Sequence, residues 1–93
     1  MNHNTAGFTY HQITISGNLC AVDGILGGIF VSAASATPTI AVYDDPANGT
    51  ATKIVDTFTP VAGTFYPLPF AFAQGLNVVI GGTVSCTVGF ISG

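Results

Sequence analysis

Apolar and polar positions alternate with a period of two along most of the chain, and no stretch carries the 3.6-residue period of a helix. The cleanest run is Thr83 to Ile91, with Val84, Cys86, Val88 and Phe90 on one side and Thr83, Ser85 and Thr87 on the other. Just before it, Leu76, Val78 and Ile80 alternate with Asn77 and Val79. Gly81-Gly82 between these runs predicts a tight hairpin turn. At the other end, Phe8 to Ile15 predicts a first strand with Ile13 and Ile15 on one face, closed by the turn signal Ser16-Gly17-Asn18. Leu19 to Val22 is a short strand or the entry to the next, and Asp23-Gly24 is a preferred turn dipeptide.

The middle of the chain is organised around Thr37 to Phe58. Ile40 and Val42 alternate with Thr39, Ala41 and Tyr43, and Asp44-Asp45-Pro46 stops this strand because proline offers no amide donor. Asn48-Gly49 supplies the residue types that most readily take positive φ, so the chain is expected to reverse there. Lys53 to Phe58 runs back, rich in β-branched and aromatic residues. Ser35 to Pro38 reads as a small polar connection into this hairpin. In Thr64 to Phe72, Tyr66, Leu68, Phe70 and Phe72 fall on one side and Pro67 and Pro69 on the other, the pattern of an edge strand. Phe70 and Phe72 are expected in the core.

These strands predict an all-β fold: an antiparallel β-sandwich, jelly-roll or Ig-like, of about seven or eight short strands. The expected division is a flexible arm over residues 1–7 and a single sandwich domain over residues 8–93. Ile25 to Ala33 changes the picture. It is apolar on both faces, with Ile25, Ile29 and Val31 against Leu26 and Phe30. A strand covered on both faces reads this way, and a chain of this size would draw its second cover from another subunit.

Composition narrows the function. Charged residues make up 5 % of the 93 positions, against about a quarter in ordinary globular chains. Lys53 is the sole base and the net charge is −3, which argues against nucleic acid and against acidic membranes as partners. The apolar stretch Leu19 to Ala34 is too short for a spanning helix and is interrupted by Asp23. The start of the sequence lacks the basic and apolar regions of a secretory signal. Cys20 and Cys86 are expected to be buried free thiols, a disulfide between them being the alternative.

Candidate chemistry is sparse. Asp44, Asp45, Asn48 and Thr50 place oxygen donors on one loop, but the spacing is not that of an EF-hand and its terminal Glu is missing, so no metal is expected. His3, His11, Cys20 and Cys86 contain no close ligand pair for zinc. Asp23 and Asp56 read as structural and leave no acid pair for a hydrolase. No cofactor and no catalytic residue are expected.

From Thr37 onward, the segments TIAVYDDPANGT and KIVDTFTPVAGTFYPLPFAFAQGLNVVIGGTVSCTVGFIS resemble small structural proteins of tailed bacteriophages. The resemblance covers about two thirds of the chain and is a rhythm of strands and turns. It implies a non-enzymatic virion component, made in the host cytoplasm and placed on the capsid surface: a decoration or cement subunit, or a piece of a tail or head appendage. The implied partners are the major capsid protein or another virion protein, together with copies of the chain itself in a trimer or other cyclic homo-oligomer. The expected interface residues are Ile25, Leu26, Ile29, Phe30, Val31, Tyr43 and Tyr66. The alternative is a carbohydrate-binding or adhesion module using Tyr43, Tyr66 and the loop from Asp44 to Thr50.

Overall fold

The computed structural model describes residues 8–92, so the expected arm over residues 1–7 lies outside the described residues. Among the described residues there is no helix, and seven strands form one antiparallel sheet: β1 (Thr9–Ile13), β2 (Gly17–Cys20), β3 (Gly24–Tyr43), β4 (Lys53–Phe58), β5 (Thr64–Pro67), β6 (Ala71–Phe72) and β7 (Leu76–Ser92). The expected antiparallel sandwich is present, but two of its strands are long. β3 has 20 residues and β7 has 17, and they pair with each other from Gly24↔Ser92 to Tyr43↔Asn77.

The layers arise because this long β3–β7 ribbon bends at its middle. Ala36 and Thr37 take positive φ (56° and 55°), and Gly82 on the facing strand does the same (69°). Pairing is interrupted between Ser35 and Thr39, opposite Gly81 and Thr83. Two sequence expectations are corrected here. Ser35 to Pro38 is a bend inside β3 and not a connection, and Gly81-Gly82 is its counterpart inside β7 and not a hairpin turn.

The flanking strands follow the same bend. Layer I consists of β1, the second half of β7, the first half of β3, and β5 with β6 along the edge. Layer II consists of β2, the first half of β7, the second half of β3, and β4. At the bend between β1 and β2, the Ser16 hydroxyl accepts the Ile80 amide hydrogen at 2.7 Å and faces the Ile80 carbonyl at 3.2 Å, so a side chain occupies the place of a ladder partner. Pro67 sits on the edge as expected, opposite Gly28, whereas Pro69 lies in the break between β5 and β6, where the single edge strand expected over Thr64 to Phe72 divides in two.

The core lies between the layers. Leu26, Ile29, Val31, Val84, Cys86, Val88 and Phe90 of layer I meet Ile40, Val42, Leu76 and Val78 of layer II, with Phe72 at the open end. The side expected to be buried in Thr83–Ile91 is buried throughout. Cys20 and Cys86 are buried free thiols, and burial pushes the Cys86 thiol up to about 11. Phe70 departs from expectation and stands exposed, while Phe72 is buried. The Phe70 amide bonds back to the Leu68 carbonyl at 2.8 Å, which tightens the chain between β5 and β6 and breaks the alternation there.

Candidate functional site: an uncharged outer sheet face

The two outer faces of the sandwich differ. Over layer II lies the loop between β3 and β4, closed by the Asp44 amide bonding the Thr52 carbonyl at 2.8 Å. Asn18 Nδ2 donates to the Asp45 and Ala47 carbonyls (3.0 and 2.7 Å), and Asn77 Nδ2 donates to the Gly49 carbonyl (2.9 Å). Asn77 and Tyr43, neighbours in the ladder and both on the outer side, are consequently buried beneath the loop. The reversal does not use positive φ at Asn48-Gly49, as the sequence had suggested. Asp45 Oδ1 shapes it instead, accepting the Ala47 and Gly49 amide hydrogens at 2.8 and 3.1 Å.

Asp44 closes the open end of the sandwich. Its carboxylate accepts amide hydrogens from Ala73, Gln74 and Gly75 at 2.9, 2.8 and 3.2 Å. Desolvation is the largest single influence and pushes its pKa up, but the three amide bonds together outweigh it and hold the carboxyl below the ordinary aspartate value. Lys53 and Asp56 pair with each other at 2.9 Å in the open. The acids of the loop are thus engaged with backbone amides, and among the described residues no group of three or more His, Cys, Asp or Glu gathers around a metal-sized space.

Among the described residues, layer I carries no such cover. Its strands, over residues 8–13, 24–35, 64–72 and 83–92, contain no Asp, Glu, Lys or Arg. Rows across the outer face run Tyr10, Gly89, Gly28, Pro67 and Gln12, Thr87, Phe30, Phe65. Phe8, Phe30 and Phe65 are 49 %, 42 % and 57 % exposed, so about half of each ring faces outward. Phe8 lies over Gly27 and Phe65 over Gly28, and together with Phe30 they wall a groove of about 310 Å³ that is also lined by Thr87 and Gly89. Glycine is needed there. A Cβ on Gly27 would stand 2.7 Å from the Phe8 ring, and one on Gly28 would stand 2.6 Å from the Phe65 ring and 2.7 Å from the Tyr66 carbonyl.

The expected interface residues separate accordingly. Ile25 and Phe30 lie exposed on this face. Leu26, Ile29 and Val31 are fully buried within the chain, and Tyr43 is buried under the loop, so these four present no surface to a partner. Gly27 is the physical reason. A register shift between Leu26 and Gly28 makes it an extra residue, which turns Leu26 and Ile29 toward the same interior and leaves the chain's own second layer as their cover. Tyr66 is half-buried, its ring tilted on Phe58 at 5.0 Å and its hydroxyl accepting the Val61 amide hydrogen at 2.9 Å. Tyr43 and Tyr66 therefore do not form a common sugar-stacking platform. Sequence reasoning missed Phe8, Phe65 and the glycines beside them; the signal was Gly27-Gly28 and Gly89 standing among strand residues.

No protein family, curated protein or solved structure matches the chain.

Proposed function

We propose that the chain is a non-enzymatic structural subunit that works by burying the outer face of layer I against a neighbour in a larger assembly. The observation that carries this reading is the uncharged, half-exposed aromatic face itself, set beside a second face that the chain covers with its own loop. Apolar interface centres depleted of charge are typical of permanent assemblies. The assembly is a virion shell, with the chain as a decoration or cement subunit on the major capsid protein or another virion protein, in line with the sequence resemblance.

Attachment of this kind depends on apolar burial, because Lys53 is the sole base and it is paired to Asp56. Salt screens exposed charges over about 10 Å at 0.1 M and leaves buried apolar contacts intact or stronger. The test is an antiserum against the purified chain, applied to particles pelleted from lysates that express it from its own genome. Labelled shells that keep the chain through washes up to molar salt are expected. Unlabelled particles overturn the virion reading, and full release at moderate salt overturns apolar docking.

A further inference from the structure

We infer that the occupant of the layer I face is a second copy of this chain, stacked face to face across a two-fold axis so that the aromatic rings of each copy pack into the groove between Phe8, Phe30 and Phe65 of the other. This rests on the reading of that face as an assembly surface and makes the neighbour that covers it another copy of the chain. The pair, and not the single chain, then meets the shell and does so through its remaining surface.

Three observations lead to the second copy. The first is shape. The face offers knobs and a hole together: Phe30 and Phe65 stand about half exposed beside a groove of about 310 Å³, ample for an aromatic ring. A two-fold axis through the face sets the knobs of one copy over the hole of the other, which is how a single patch becomes self-complementary. Sheets packed in this way lie about 10 Å apart.

The second is charge. An oppositely charged partner finds nothing to pair with on this face, whereas an identical uncharged face leaves no charge unpaired. The chain's net charge of −3 would make copies repel, but the charged residues lie on layer II, its loop and the open end. Stacking on layer I sends the two layers II to opposite ends of a four-layer stack, about 30 Å apart and well beyond a Debye length of about 10 Å at 0.1 M.

The third is area. Residues 8–13, 24–35, 64–72 and 83–92, at about 3.3 Å along each strand and about 4.8 Å between strands, give a whole face of roughly 600 Å² per copy, or about 1,200 Å² for the pair. Specific interfaces begin at about that size.

Sedimentation velocity on the purified full chain in neutral buffer reads the state directly. A species of twice 9.4 kDa is expected, unchanged or strengthened at 1 M salt. Phe65→Lys puts a charge on the face and is expected to shift the chain to monomer, while Thr57→Lys on exposed β4 of layer II leaves the dimer intact. A cross-link keeps the test decisive should Phe65→Lys unfold. Thr87 lies near the centre of the face, so Thr87→Cys is expected to form a disulfide-linked dimer on mild oxidation, and Thr57→Cys is not. Monomer at high concentration, a trimer, or cross-linking through position 57 in place of 87 overturns the inference. Labelled virions carrying a chain that is monomeric in solution would sink the two-fold pair alone; a dimer with no labelled virion would sink the shell alone.

Discussion

Gly82 lies against Thr37 at the bend of the two long strands, both with positive φ, and a Cβ on Gly82 would stand 2.6 Å from the Thr37 carbonyl oxygen. The bend that makes two layers from one ribbon is therefore built on close backbone contact that only glycine permits on the β7 side. Gly82→Ala is expected to lose about 3 kcal/mol, combining left-handed strain with overpacking. Ala36→Gly acts in the opposite direction: it removes left-handed strain of about 1–2 kcal/mol and returns about 0.4–1 to the unfolded chain, a net gain of about 0.5–1 kcal/mol. Urea unfolding of both variants checks the opposed signs.

Asp44 makes the open end sensitive to acid. Its folded pKa is depressed by the amides of Ala73, Gln74 and Gly75, so the folded state binds its proton less readily than the unfolded one. Its contribution is fully present above the ordinary value of 3.8 and is lost as pH falls through the lower folded value. Asp44→Asn is expected to lower Tm by about 5 °C at pH 7 and by progressively less toward pH 2. Thermal melts across that range check it; a constant gap between the two proteins would overturn it.

Cys86 is fully buried and its thiol is held up at about 11, so little thiolate exists at neutral pH and none is accessible. Cys20 is buried as well. Neither thiol is expected to react with an aromatic disulfide reagent at pH 8 in native protein, and both are expected to react in 6 M guanidinium. Rapid labelling of the native chain would contradict the packing described.

Asn77 is a buried polar side chain holding the Gly49 carbonyl at 2.9 Å. Asn77→Ala removes that bond and leaves a space beneath the loop, with an expected loss of about 2 kcal/mol. Hydrogen exchange should accelerate at Ala47 and Gly49, whose amides the loop orders, and stay unchanged at Val31 in the other layer. Uniform acceleration in both places would show that the loop is not a separate unit.

Local pattern carried much of the fold and little of the site. Val84, Cys86, Val88 and Phe90 announced their burial because strict alternation has one interpretation when one face is covered. Pro67 announced an edge because a missing donor is a local fact. Gly81-Gly82 misled because a glycine pair permits either a reversal or a bend, and the choice belongs to the strand lying opposite. Ala36 and Thr37 give no sign of positive φ, since neither residue favours it; the ribbon imposes it. Leu26 and Ile29 looked like surface for a partner because the extra residue at Gly27 shifts the alternation only once β3 is paired. The exposed face was hidden for a similar reason, as Phe8, Phe30 and Phe65 are far apart in sequence and become neighbours only through the β1–β7–β3–β5 order.

The position of β7 in the sheet also governs the life of the chain before it is folded. β7 is the partner of β1, β2 and β3, yet it is made after the other six described strands. Until it leaves the ribosome, β1 and β2 have no ladder to join and β3 lacks its longest neighbour. Pairs such as Gly24 with Ser92 span most of the sequence, so closing them is slow, on the scale of milliseconds to seconds for folds of this kind. Folding must therefore wait until β7 has been made, and the nascent chain meanwhile displays the apolar run of β3, which is when it is most exposed to wrong pairing with other chains.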